Sequence, residues 1–144
     1  MLRFFGELPL ALERPDLRIV HACWDAEAIA QVRHAARADD LYHEYRTRVE
    51  ERIRQSGITD NLAIKLAHQN ENSVKLLTSR PECQAPQPFE AMGQLRQEWR
   101  VDWWREYDGP MCVFGHYWRI MLPHEVDAEQ KFAGVPLNAT LGRG

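Results

Sequence analysis

Two short apolar runs, Leu17-Arg18-Ile19-Val20-His21 and Met111-Cys112-Val113-Phe114-Gly115-His116, are each of strand length and each end in a histidine. Short apolar runs bounded by turn residues are the pattern of buried strands, so both belong in a sheet. A strand that delivers an imidazole to a sheet edge is a common way to build a metal site. On parallel or neighbouring strands, His21 and His116 would both be presented at one edge.

The rest of the chain supplies helices and further strands. Leu2, Phe5, Leu8 and Leu12 recur at helical spacing and predict a short amphipathic helix before Pro15. After the first histidine run, Asp25 is placed to cap a helix carrying Ile29, Val32 and Ala36 on its apolar side. Asp40 is the candidate cap of a second helix, in which Leu41, Tyr45, Val49 and Ile53 form one stripe that ends at Gly57. A third helical region runs from Asp60 through Leu77, with the polar patch from Gln69 to Asn72 working against its continuity. Pro81, Pro86 and Pro88 mark a loop. Beyond it, Leu95, Gln97, Trp99, Val101 and Trp103 alternate with Arg96, Glu98, Arg100 and Asp102, the pattern of a half-buried strand, and Asp108-Gly109-Pro110 makes a turn. The tail from Leu122 onward carries Pro123 and Pro136 and shows no clear periodicity.

Composition narrows the class. A length of 144 residues with 44% hydrophobic content suits one domain with a buried core. Eighteen Lys and Arg against 21 Asp and Glu leave a net charge of -3, which gives no global field for nucleic acid or an anionic membrane. Cys23, Cys83 and Cys112 are odd in number and widely spaced, which argues against a disulfide framework or a zinc knuckle and favours a reducing cytoplasm. The N-terminal apolar stretch, interrupted by Arg3 and Glu7, does not read as a signal peptide, and no stretch is long enough to span a bilayer.

Each candidate has a plain structural reading beside the functional one. His21 and His116 are metal ligands or satisfied core histidines; Gly115, lacking a side chain, would let the chain turn sharply into His116. Divalent metals in hydrolases take about four to six donors, commonly with a bridging carboxylate, and no Asp or Glu stands in a spacing that marks it as that bridge. Cys23 is better read as a small core residue than as a nucleophile. Arg96, Trp99, Arg100, Trp103, Trp104 and Arg105 interleave charge with aromatic rings, the composition of a single-stranded nucleic-acid platform, although the alternating pattern favours a core role for at least two of the tryptophans.

Leu8-Pro9-Leu10, Leu17 through Asp25, the Trp103-Trp104 pair and Val113-Phe114-Gly115-His116-Tyr117-Trp118-Arg119 together resemble the bacterial calcineurin-like metallophosphoesterases, over nearly the whole chain. The resemblance implies an α/β fold: part of a β-sandwich flanked by helices, four layers in the complete family domain. Residues 1–144 would form a single partial domain that lacks the amino-terminal metal-binding half and the last strand. The family's early motifs, Asp-x-His, Gly-Asp-x-x-Asp and Gly-Asn-His, do not occur in this sequence; its late ones, a strand-ending His and a Gly-His, match His21 and His116.

The same resemblance implies that His21 and His116 bind one metal of a two-metal centre of Mn, Fe, Zn or Co, alongside an Asn and a bridging Asp that this chain does not supply. At most one ion would be held, weakly, by this chain. Trp118 stands where many relatives carry a further histidine, so the chain looks closer to the phosphoprotein phosphatase and diadenosine tetraphosphate hydrolase branch. The implied substrates are a phosphorylated small molecule, a nucleotide or a phosphoprotein. The implied chemistry is in-line attack by a metal-activated water, expected only with the missing half present. The other class of function is a noncatalytic interaction protein that pairs with another chain through open sheet edges.

Overall fold

A computed structural model describes residues 7–91, 93–116 and 139–141. In chain order the elements are β1 (Ala11–Glu13), β2 (Leu17–Val20), α1 (Ala26–Val32), α2 (Ala38–Ser56), α3 (Asn61–Asn70), α4 (Ser73–Ser79), β3 (Glu82–Ala91), β4 (Gln94–Arg100), a 3-10 turn (Trp103–Arg105) and β5 (Met111–Phe114). They form a mixed α/β fold with one three-stranded sheet in the order β1-β2-β5 and a separate β3-β4 hairpin.

The first sheet joins the two histidine runs. β1 runs antiparallel to β2, and β5 lies parallel to β2 with Leu17 opposite Met111 and Val20 opposite Phe114. Alternation then sorts the side chains onto two faces. Val20 and Phe114 turn inward, where Val20, Cys23, Trp24, Ala28, Ile29, Leu77, Trp103 and Trp104 make the core, with Phe114 and Leu141 packed against it. Arg18 shares that side through its stem; its guanidinium lies 4.7 Å over the Trp24 ring and donates to Glu13 and to the Tyr107 hydroxyl. The turn at Asp108-Gly109-Pro110 is fitted to this contact, since a Cβ at Gly109 would lie 2.3 Å from Arg18 Nη1.

The helices start and stop where local chemistry directs them. Asp25 caps α1 by accepting from the Ala28 amide at 2.7 Å, and Asp60 caps α3 through the Ala63 amide at 2.7 Å. Gly57 closes α2 at φ 67°, a left-handed conformation that suits glycine. Arg37 occupies the N-cap position of α2 without a side-chain capping bond, so the cap expected at Asp40 is not made; Asp39 and Asp40 lie in the first turn, where they favour the positive end of the helix dipole.

Further sequence expectations are corrected. Leu12 lies in β1 and Leu8 in a bend, so no helix continues through them; pairing with β2 outweighs the local spacing, and Leu2 and Phe5 lie outside the described residues. Pro86 and Pro88 sit within β3 rather than in a loop, at a register irregularity between Gln84 and Phe89 where ladder pairing is interrupted, the position in which a strand tolerates proline. In β4 the charged side is partly covered: Glu98 has a side chain only 10% exposed, 3.7 Å from Lys65 of α3, while Leu95 is 71% exposed. Trp103 leaves the strand for the 3-10 turn.

The polar patch Gln69 to Asn72 divides the third helical region into α3 and α4, and each of its side chains has a structural task. Gln69 Nε2 donates to the buried Arg80 carbonyl at 2.6 Å. Asn70 accepts from the Glu82 amide and donates to the Glu82 carbonyl, mimicking a strand pair. Asn72, 2% exposed, accepts from the Val74 and Lys75 amides to cap α4 and donates to the Tyr42 carbonyl of α2. Asn72→Ala is therefore expected to lower the unfolding free energy by about 1–3 kcal/mol, since it removes a helix cap and leaves buried backbone groups unpaired. Urea denaturation measures this directly, and an unchanged midpoint would show that the α2–α4 junction does not depend on the amide.

Candidate functional site

The carboxyl ends of β2 and β5 bring His21 and His116 together. Gly115 N donates to the His21 carbonyl at 2.9 Å and extends the parallel pairing by one step. His116 Nδ1 and His21 Nε2 are 3.2 Å apart, with ring centroids 5.3 Å apart and planes at 71°. His21 is exposed and His116 half-buried. Two imidazole nitrogens on one tetrahedral ion lie about 3.3 Å apart when each bond is about 2.0–2.1 Å, so the spacing suits two ligands of a single metal. It also suits one N–H···N hydrogen bond between the rings.

Backbone geometry carries part of the arrangement. His116 has φ 68°, in the left-handed region, whereas Gly115 is not among the residues of positive φ. A Cβ at Gly115 would meet only the His21 carbonyl oxygen, at an ordinary 3.5 Å. The sharp turn expected at the glycine is thus made by the histidine itself. A non-glycine residue there costs about 1–2 kcal/mol, a strain that surrounding contacts must offset and that is concentrated at functional sites.

The loop after His21 is held from two sides. Ala22 N donates to the Leu77 carbonyl of α4 at 2.9 Å, and Trp103 Nε1 donates to the Ala22 carbonyl at 2.9 Å. Ala22 has no exposed surface, so both of its backbone groups are satisfied inside the core. The indole of Trp103 thereby fixes the residue next to His21.

Among the described residues, no group of three or more His, Cys, Asp or Glu side chains gathers in a way that would hold a metal ion. Among the described residues the histidine pair supplies two of the four ligands of a closed tetrahedral set. Arg119 and Trp118 lie outside the described residues.

The other candidates separate clearly. Cys23 is 2% exposed in the core, where burial pushes its thiol up to about 12, with Asp25 and Cys112 adding to the shift. Burial likewise pushes the Cys112 thiol up to about 11, with Arg18 opposing. Neither has an appreciable thiolate population at neutral pH, which removes Cys23 as a nucleophile. Iodoacetamide at pH 7.5 is expected to modify exposed Cys83 and to spare Cys23 and Cys112 until urea is added. Peptide mapping reads the outcome; early labelling of Cys23 would mean that the β2–α1 corner opens in the native state. Trp103 and Trp104 are 9% and 5% exposed and pack on Phe114, and Trp99 meets Phe89 edge to face at 5.1 Å. Two of the three rings of the possible base-stacking platform are therefore core residues.

Sequence reasoning did not find Leu77 and Trp103 as the anchors of the His21 loop; their signal is a backbone contact that no side-chain pattern encodes. No family model, curated protein or solved structure matches this chain. No helix among the described residues is long and apolar enough to cross a membrane.

Proposed function

We propose that this chain is the histidine-bearing part of a metal-dependent phosphoesterase, a phosphatase or nucleotide-polyphosphate hydrolase. In this reading the three-stranded sheet belongs to a β-sandwich flanked by helices, and His21 and His116 hold one divalent ion. The remaining donors, an Asn and a bridging Asp, come from outside the described residues. The observation that carries the proposal is the parallel pairing of β2 and β5, which sets two imidazole nitrogens 3.2 Å apart at one sheet end, with His116 held in a left-handed conformation.

The bound metals would supply Lewis acidity toward phosphoryl oxygens and activate the attacking water. This chain's residues orient that centre: Gly115 N fixes the His21 carbonyl, Trp103 and Leu77 fix Ala22, and Phe114 anchors the strand that leads to His116. Cobalt(II) titration followed by visible absorption tests ligation, and hydrolysis of bis-p-nitrophenyl phosphate by the chain in its full coding context tests the chemistry. Absence of metal binding, or binding unchanged when both histidines are replaced, would overturn the reading. So would metal binding without hydrolysis of any phosphoester in the full context.

A further inference from the structure

Tyr42, Arg46 and Glu50 stand four apart on α2 and form a polar stripe beside the apolar one of Leu41, Tyr45, Val49 and Ile53. That polar stripe, with His68 of α3, Asn72 and Lys75 of α4, lines a cavity of about 240 Å³ where the three helices pack together. Small-molecule sites usually run from about 300 to 1,000 Å³ with mostly apolar walls, so a smaller cavity walled by polar and charged side chains suits a guest of ionic size.

The charges around it do not balance. Arg46 and Lys75 face one carboxylate, Glu50, which leaves the lining net positive, and His68 adds to this when protonated. Arg46 Nε donates to Glu50 Oε1 at 2.8 Å; this bond fixes the plane of the guanidinium and leaves its two Nη groups for another acceptor. Lys75 is half-buried and forms no ion pair with a carboxylate of the described residues. Partial burial costs an ammonium some of its hydration, and a bound anion restores that loss. The Val74 and Lys75 amides at the start of α4 are taken by Asn72 Oδ1, so side chains must do the holding.

We propose that this cavity binds a tetrahedral oxyanion of the phosphate class, with Arg46 presenting its Nη pair to two oxygens and Lys75 acting as a point charge from α4. A carboxylate presents two oxygens in one plane, which the guanidinium fork satisfies by itself. Cations on two helices match an anion whose oxygens point several ways and whose charge exceeds one. Tyr42 and His68 carry further groups that can donate within the lining. The site lies on α2, α3 and α4, apart from the strands that carry His21 and His116, and needs no metal.

Isothermal titration with inorganic phosphate and with glycerol 3-phosphate, in dilute buffer that contains neither, tests the site. Arg46→Gln and Lys75→Gln should each weaken binding by about 10-fold or more, the loss of one charge-assisted contact, with the urea midpoint close to the parent's. Arg48→Gln removes a cation of the same helix that pairs with Glu44 outside the cavity, and should leave binding unchanged. Tighter binding of the free ion assigns inorganic phosphate, tighter binding of the ester assigns a phosphomonoester, and either supports the site. Absence of binding with both ligands would overturn it, as would binding indifferent to the two cavity variants. Equal weakening by Arg48→Gln would reduce the effect to net charge and reject the site. Binding lost in His21→Ala would place the anion at the histidines instead and reject it as well.

Discussion

Trp103→Ala is expected to lower the unfolding free energy by about 3–5 kcal/mol, the range for truncating a large aromatic residue inside a core. Trp103 is 9% exposed, meets Phe114 at 4.8 Å and Tyr107 at 5.6 Å between ring centroids, and also touches Trp104. Trp103 also ties the core to the β2–α1 corner, because its indole donates to the Ala22 carbonyl. Total stability for domains of this kind is about 5–15 kcal/mol, so the loss is a large part of it. Trp103→Phe separates the two contributions. It keeps most of the ring and leaves the buried Ala22 carbonyl without its donor, a cost of about 1–3 kcal/mol. Urea unfolding of the three proteins by linear extrapolation measures both, and a loss below about 1 kcal/mol for the alanine variant would show that the core does not close around this ring.

His21→Ala and His116→Asn are each expected to weaken cobalt(II) binding by at least ~100-fold, since even second-shell partners of metal ligands are worth about 10–100-fold. The choice of asparagine at 116 follows from the backbone. His116 has φ 68°, and asparagine tolerates the left-handed region better than most residues, so the variant removes the imidazole while keeping the turn. Thermal unfolding should leave His116→Asn close to the parent protein, whereas His116→Val should lose stability through its β-branched side chain. Isothermal titration with cobalt(II) reads the first effect. If both histidine variants bind as the parent does, the 3.2 Å approach of the rings is a hydrogen bond and nothing more.

The two predictions meet at Ala22. Trp103 holds its carbonyl and Leu77 accepts from its amide, so the position of His21 depends on the core as well as on β2. Trp103→Phe should therefore weaken metal binding somewhat even though the indole is not a ligand.

Much of the fold was legible in the residues. Both histidine strands, the cap at Asp25, the helix start at Asp60, the helix stop at Gly57 and the turn at Asp108-Gly109-Pro110 follow from short-range rules, because a cap or a turn is a contact between residues a few positions apart, although the cap expected at Asp40 is not made. The misreadings have one physical origin. Leu8 and Leu12 keep helical spacing, Pro86 and Pro88 carry turn chemistry, and Leu95 carries strand alternation, yet partners distant in sequence decided each case. β2 paired with β1, a pairing irregularity accommodated the prolines, and Lys65 of α3 drew Glu98 to the covered side of β4.

The candidate site divides in the same way. The residue pattern alone places two histidines at the ends of two strand-length apolar runs, gives ordinary length and charge for one domain, and leaves the cysteines without a spaced ligand set. Folding in three dimensions sets those strands side by side and parallel, makes His116 rather than Gly115 the left-handed turn, and leaves the other face of the sheet apolar and exposed. Strand patterning is written in alternation along the chain, but which strands become neighbours is set by burial of one shared face, here around Trp103, Trp104 and Leu77, and that is a property of the whole core.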